Sequence, residues 1–444
     1  MENQISRREF MKRSSLAASS IAVGAMSMSA KSYARIIGAN ERINFAIVGL
    51  HGRGKAHLSS ISKCDNAVVT HICDVDKREL DLVSAMVNEK YGQLPVTEKD
   101  IRNLVEDKSI DAITIASPEH WHTPMAIMGL EAGKHVYIEK PCSHNPREGE
   151  LLIKAQQKYN RLVQLGNQQR SCPTTQGIIK RIHSGLIGRV YYCKAWYSNT
   201  RTSIGVGKEV PVPDYLDWEL WQGPAPRRQY KDNIHPYNWH WFWHWGAGET
   251  LNNGTHEVDI SRWALQVGYP QQITATGGRY HDNDDWEFYD TLITNFEYGD
   301  EMIAWEGLSC QGKKYYNRGR GTTVHGTEGT VLIDRDGFIV FDRDENVVEE
   351  YKKPVEDASM DIVGAGPMTT WHFQNFINAI RMGEKLNSPI YEGNVAVTML
   401  QLSNIAWKTR RSLQIDPANG HIRHDKKAMQ MWSREYENGW EPKV

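Results

Sequence analysis

The stretch Ile43-Asn44-Phe45-Ala46-Ile47-Val48-Gly49-Leu50-His51-Gly52-Arg53-Gly54-Lys55-Ala56-His57 decides the fold. Its first six residues are mostly apolar and β-branched or aromatic and read as a buried strand, and the glycines that follow permit a tight turn into a helix. A helix starting there offers free backbone N–H groups and the positive end of its dipole to an anion such as a pyrophosphate. Asp74 stands 25 residues beyond Gly49, at the end of a second apolar run, where a carboxylate can hold ribose hydroxyls. Together these features predict a dinucleotide-binding turn formed by Gly49, His51, Gly52, Arg53, Gly54 and Asp74. His51 departs from the usual spacing because it stands where the middle glycine belongs, so Gly52 is expected to supply the close backbone approach.

Working outward, apolar runs of strand length at Ile43 to Val48, Ala67 to Cys73, Ala112 to Ala116, His135 to Ile138 and Leu162 to Leu165 alternate with helical patterns. The helices are expected at Lys77 to Tyr91, Thr123 to Ala132 and Pro146 to Tyr159, with Thr97 to Asp100 resembling a capping box before Ile101 to Val105. Such alternation is the signature of a parallel sheet with crossover helices, here a Rossmann domain over residues 40–167. Beyond it, Val190 to Tyr197, Ile273 to Tyr280, Phe288 to Tyr298, Glu301 to Gly307, Thr322 to Ile333 and Phe338 to Phe341 read as antiparallel strands, with a hairpin turn at Tyr298 to Glu301. Residues 168–416 are therefore expected to form an α/β domain with a large, mainly antiparallel open sheet, followed by a tail over 417–444. A chain of 444 residues suits two domains better than one.

The N-terminus carries Ser6-Arg7-Arg8-Glu9-Phe10-Met11-Lys12, then a small-residue apolar stretch ending near Ala34. That layout predicts a twin-arginine export signal over residues 1–35 and a periplasmic or otherwise exported protein, with no stable membrane span after signal removal. A net charge of -2 gives no basic surface for nucleic acid or an anionic membrane. Six widely spaced cysteines fit free thiols better than a disulfide framework or a zinc site, and no H-E-x-x-H or paired-cysteine spacing predicts a metal. Fifteen Trp and nineteen Tyr supply faces that stack on sugar rings. Asp74 argues for NAD because it repels a 2'-phosphate, while Arg53 keeps NADP open.

At Glu139-Lys140-Pro141 the chain resembles the glucose-fructose oxidoreductase and inositol dehydrogenase (Gfo/Idh/MocA) family. Ser117-Pro118-Glu119-His120-Trp121-His122, Leu130 to Val136 and Asn252-Asn253-Gly254-Thr255-His256-Glu257-Val258-Asp259 carry the same resemblance, which runs from Arg42 to Asp416. It implies that Lys140 and His256 sit over a nicotinamide ring. Many members have Asp four residues before that His; Asn252 here removes a carboxylate that would raise the basicity of His256 and leaves an amide that can orient hydroxyls. Ser117, Pro118, His122 and Glu139 are expected on the cofactor side, at the carboxyl edge of the sheet. Gln169 follows the last Rossmann strand and is placed with them. Trp243, in the run Trp239 to Trp245, together with Tyr197 and Arg262, is expected to meet the substrate.

Oxidising a secondary alcohol requires hydride to leave carbon while a proton leaves oxygen, so a base and a cation must meet one hydroxyl. His256 and Lys140 fit those roles. The expectation is an oxidoreductase acting on a sugar, cyclitol or glycoside, with tightly bound NAD recycled between two sugars because export removes the free cofactor pool. An NAD-dependent glycoside hydrolase working by transient oxidation and elimination is the alternative, and a carbohydrate-binding protein with a vestigial dinucleotide fold is a third reading. A large open sheet predicts a homo-oligomer, dimer or tetramer.

Overall fold

The computed structural model describes residues 42–353 and 366–444. The expected export signal lies outside the described residues. The first sheet contains β1 (Ile43–Val48), β2 (Ala67–Cys73), β3 (Val96–Glu98), β4 (Ala112–Ile115), β5 (His135–Ile138) and β6 (Val163–Leu165), all parallel, in the order β3-β2-β1-β4-β5-β6. Both faces are covered, and Phe45, Ile47, Val69, Ile113, Ile115, Val136 and Ile138 are fully buried, which explains why these strands read as continuous apolar runs. Helices α1 (Gly52–Ile61), α2 (Lys77–Tyr91), α3 (Ile101–Leu104), α4 (Glu119–Glu131) and α5 (Pro146–Tyr159) connect them. Local chemistry sets the ends: Asp76 caps α2 by accepting from the Arg78 N–H, left-handed Gly92 closes it, and Asn145 caps α5 ahead of Pro146.

The second sheet has ten strands in the order β14-β13-β12-β11-β7-β10-β9-β8-β15-β16. They are β7 (Val190–Ser198), β8 (Gln272–Gly278), β9 (Thr291–Glu297), β10 (Met302–Leu308), β11 (Arg320–Gly326), β12 (Thr330–Ile333), β13 (Gly337–Phe341), β14 (Val347–Lys352), β15 (Leu413–Ile415) and β16 (Ile422–Arg423). Every registered pair is antiparallel except β7 with β10. Gly299 takes φ +90° in the hairpin between β9 and β10, as the Tyr298 to Glu301 turn predicted. The six cysteines are free.

Helices α6 (Pro173–His183), α7 (Trp218–Gln222), α8 (Thr255–Leu265), α9 (Pro367–Met382) and α10 (Ile390–Thr409) complete the chain's main elements. α8 packs on β7 and β11, and α10 on β8 and α5, so one apolar cluster runs through both sheets. α9 returns to the first sheet and packs on α1, where Phe373 stacks on Tyr137 at 4.1 Å and meets Phe45 edge-on. The last residues are tied down as well: Arg434 pairs with buried Glu148 at 2.8 Å, and Trp440 lies edge-on to Trp121. No helix among the described residues is long and apolar enough to cross a membrane.

Three local expectations change. Thr97 and Glu98 of the expected capping box belong to β3 instead, and Asp100 caps α3 by accepting from the Arg102 N–H. Thr322 to Ile333 is not one strand but β11 and β12, separated by a turn at Gly326 to Gly329. Helix α4 begins at Glu119 rather than Thr123, directly after Pro118.

Candidate active site

A cleft of about 530 Å³ opens at the carboxyl ends of β1, β2, β4 and β5 and is walled on its far side by the second domain. At its floor Gly49 adopts φ +84°, and a Cβ there would meet the Ala116 and Ser117 backbones at 2.6 Å. A Cβ on Gly54 would lie 1.9 Å from the Gly49 carbonyl oxygen, so Gly54 lets α1 start against the turn rather than lining the cleft. Gly52 differs: nothing lies within 4 Å of its missing Cβ, and it faces the cleft as the first residue of α1. Asp74 ends β2 and braces the turn, with one oxygen accepting the Leu50 N–H at 2.6 Å and the other the Asp76 N–H at 2.9 Å. Burial raises its pKa, partly countered by those two N–H groups. An open helix N-terminus with a carboxylate beside it is a donor set that fits a dinucleotide: N–H groups for the pyrophosphate, Asp74 for the ribose.

Glu139, at the end of β5, organises the reacting end. It accepts from Arg53 Nε at 2.7 Å and Gln168 Nε2 at 3.0 Å, and lies 3.0 Å from His57 Nε2. Burial alone would raise its pKa, but Arg53 and His57 hold the carboxyl well below its usual range. Arg53 Nε is therefore engaged by Glu139. Lys140, next in sequence, donates to the Asn252 carbonyl oxygen at 2.7 Å and to Asn252 Oδ1 at 3.1 Å. Burial lowers the Lys140 pKa against the pull of Glu139 and Glu119.

Asn252 lies in the π-helical turn Thr250–Gly254, and His256 follows on the first turn of α8. His256 is 6% exposed, lines the same cleft as Lys140, and its ring forms no hydrogen bond among the described residues. Burial, reinforced by Arg335, Arg320 and Lys140, holds it well below the ordinary histidine range. Among the described residues no carboxylate hydrogen-bonds the His256 ring, and Asn252 bonds Lys140.

Ser117, Pro118, His51 and Tyr197 also line the cleft. His122 does so as a brace: its ring bridges the Pro141 carbonyl oxygen at 2.6 Å and that of Ser117 at 2.8 Å. Besides Gly54, three expected residues lie outside the cleft. The Gln169 amide donates to the Asp334 carbonyl oxygen and is outside the cleft, because the short 3-10 turn Gln168–Ser171 sends successive side chains to different sides and gives the place to Gln168. Trp243 stacks on Phe288 at 4.2 Å within the second domain; Trp239 and His240, stacked on each other at 3.6 Å, supply the aromatic wall. Arg262 is 4% exposed and donates to the Glu392 carbonyl oxygen; it stands about one and two-thirds turns beyond His256 along α8 and so on a different face.

Sequence reasoning passed over Glu119, Arg201, Tyr237 and Arg320. Glu119 is buried behind Lys140, accepts from the Ala247 N–H at 2.6 Å, and has its pKa raised by burial. It lies within the quoted Ser117 to His122 motif, so a carboxylate on the first turn after a parallel strand was the available signal. Arg201 pairs with buried Glu249, and Arg320 with Glu257 at 2.7 Å. Their partners are brought together only by the tertiary fold.

Two sequence models match the chain in succession: the oxidoreductase family, NAD-binding Rossmann fold, over residues 43–167, and the GFO/IDH/MocA C-terminal domain over residues 175–332. A glycosyl hydrolase family 109 protein of Saccharopolyspora erythraea is 28% identical over 162 residues, covering 35% of this chain and 34% of the relative. The inositol 2-dehydrogenase of Rubrobacter xylanophilus is 26% identical over 174 residues, covering 39% of this chain and 48% of the relative. The chain thus spans between a third and a half of the length of these curated relatives. Among solved structures, the WlbA dehydrogenase of Bordetella pertussis in complex with NADH and UDP-GlcNAcA superposes with a TM-score of 0.63 at 19% identity, covering 84% of this chain and 99% of that one, a likeness of fold. With both halves of the family's architecture matched, the chain belongs to the Gfo/Idh/MocA family of NAD-binding oxidoreductases.

Proposed function

We propose that the protein is an NAD-dependent oxidoreductase acting on the CH–OH group of a sugar, cyclitol or glycoside. The observation that carries this reading is convergence: the glycine turn, Asp74 and Lys140 from the first sheet line one cleft with Asn252 and His256 from the second domain. When bound, NAD accepts or returns the hydride. An ammonium has three N–H donors, and two are taken by Asn252, so one N–H of Lys140 remains for the substrate oxygen. The cationic surroundings favour negative charge on that oxygen as its proton departs. His256, kept neutral by burial and its cationic neighbours, has a lone pair for the proton. Trp221, Tyr237 and Trp239 offer faces to a sugar ring on the second-domain side.

The paired-arginine segment supports export, and a protein that leaves the cytoplasm has no free nicotinamide pool to draw on, which supports retention of NAD and its recycling between two sugars. The residues from Asp214 to Asp217 are strapped to the loop after β2 by backbone bonds from Lys77 N to Tyr215 O and from Asp217 N to Val75 O. A homo-oligomer, dimer or tetramer, packed through the large sheet belongs to the same proposal, with light scattering as its check. The glycosyl hydrolase family 109 relatives favour a second reading, glycoside cleavage by transient oxidation, elimination, water addition and re-reduction. The same Lys140 and His256 begin either reaction. Product analysis after incubation with mono- and disaccharides tests both: a keto-sugar or lactone supports the first, free sugar without net redox change the second, and no conversion by NAD-loaded protein refutes both.

A further inference from the structure

At the rim of the cleft beside the glycine turn, two imidazoles and a carboxylate from three separate segments converge. His51 Nε2 lies 3.6 Å, and His235 Nε2 4.0 Å, from the same oxygen, Asp76 Oδ2. The three ligand atoms all fall within 4.8 Å of one another, and the two rings stand 5.4 Å apart at their centroids. These separations are too long for hydrogen bonds. His51 Nε2 is nevertheless enclosed without a partner, and the His235 side chain, only 4% exposed, makes no hydrogen bond among the described residues. The His51 side chain is 37% exposed, but leaving its enclosed Nε2 unpartnered is costly unless something else satisfies it. Zinc bonds of about 2.0–2.2 Å to nitrogen and oxygen set tetrahedral ligand atoms about 3.3–3.6 Å apart, a spacing these side chains reach by small rotations.

The surroundings suit a cation held by two imidazoles and one carboxylate. Arg78 donates to both oxygens of Asp76, through Nε to Oδ1 at 3.2 Å and through Nη2 to Oδ2 at 2.8 Å, which fixes the carboxylate and means that an ion would share Oδ2 with this guanidinium. Arg78 is itself a cation and tempers the affinity, but it is more than half exposed and lies over Tyr215 rather than between the two rings. Glu79 stands 3.5 Å from His51 Nδ1, the place of the outer carboxylate that orients a ligating imidazole, and Lys55 pairs with that carboxylate.

We propose that His51, Asp76 and His235 bind one divalent transition-metal ion of the zinc class, with its remaining position open to water, and that this ion clasps the segment carrying His235 onto the glycine turn. The effect on cofactor retention rests on the NAD reading above; metal binding does not. The test uses full-length, tag-free protein stripped with a chelator and titrated with zinc against a chromophoric competitor, beside His51→Ala, His235→Ala and the control His281→Ala, which alters the other described His/Asp/Cys cluster. One equivalent is expected in the wild type and in His281→Ala. Affinity should fall more than about 100-fold in His51→Ala and His235→Ala, with metal-free melting temperatures unchanged. No zinc uptake by the wild type, uptake unaffected by His235→Ala, or loss in His281→Ala would overturn the site. Release of NAD is then timed with and without zinc, and slowing by about 10-fold or more is expected. Zinc binding with unchanged release overturns the clasp alone, whereas failure of the stripped and loaded protein to bind NAD overturns the oxidoreductase reading and leaves the metal result standing.

Discussion

Replacing Gly52 and Gly54 separately by alanine distinguishes a turn built to hold a cofactor from one built only to fold. In Gly54→Ala the new methyl would stand 1.9 Å from the Gly49 carbonyl oxygen and 2.9 Å from its carbon, both backbone atoms pinned by the bond from Gly49 N to Cys73 O. Carbon atoms do not approach oxygen that closely, so α1 or the turn must shift by about 1 Å, at a cost of about 1–3 kcal/mol by the usual penalty for overpacking. A drop in melting temperature of roughly 2 °C or more should accompany it. In Gly52→Ala the methyl meets nothing within 4 Å, and alanine is the better residue at a helix start by up to about 1 kcal/mol, so folding stability should stay level or rise. What the methyl does fill is space over the first N–H groups of α1, where a pyrophosphate would approach. Melting curves paired with fluorescence titration by NAD read both quantities. Gly52→Ala should melt like the wild type yet bind NAD at least about 10-fold more weakly. Unchanged NAD affinity in that variant would refute the placement of the pyrophosphate at this turn.

Lys140→Met should lower kcat/KM by about 100- to 10,000-fold while changing the Kd for NAD only a few-fold, since Lys140 bonds Asn252 rather than the glycine turn; comparable losses in both would place Lys140 in cofactor binding instead. Because His256 is held well below the usual histidine value, the sugar-oxidation rate should not fall as pH drops from about 8 to 6.5, the ordinary histidine value, and a kcat/KM profile with an acid limb at 6.5 or higher would contradict the reading. Asp74→Ser should narrow the preference for NAD over NADP by about 10-fold, measured as the ratio of dissociation constants, because the repelling carboxylate is removed. Stability should fall in acid: His57 and His372 are fully buried with folded values lowered by burial from 6.5 to about 4. Between those values the unfolded chain binds more protons, so stability present above pH 6.5 is lost as pH falls toward 4, by up to about 1.4 kcal/mol per pH unit for each group. Urea midpoints at pH 7 and pH 5 check this, and an equal or higher midpoint at pH 5 would contradict it.

What was legible in the sequence was local. The run from Ile43 to Gly54 carries its strand, turn and helix start in adjacent residues, and Asp74 ends the next strand, so backbone rules suffice to place them together. Lys140 and His256 are 116 residues apart, and their meeting was legible only through the family resemblance. The misses have separate physical causes. Edge strand β14 is largely exposed, Val347 and Val348 included, and shows no alternation to read. Gln168 and Gln169 are interchangeable in sequence, and only the phase of a short 3-10 turn chooses between them. The Trp-rich run offers many equal candidates, and stacking against Phe288 or Trp286 removes Trp243 and Trp241 from the cleft. Glu119, Arg201 and Arg320 depend on partners from distant segments, which no local pattern announces.

Hydride transfer at the shared cleft is tested most directly by isotope. NAD-loaded protein is incubated with sugars deuterated at every carbon, and the cofactor is then released by denaturation and analysed by mass spectrometry. Quenched within a single turnover, before re-reduction can return the deuteride to carbon, the wild type is predicted to carry deuterium on the nicotinamide ring, and Lys140→Met and His256→Ala are predicted to carry none. Conversion of a sugar with no deuterium on the cofactor at any point within that turnover would contradict the account.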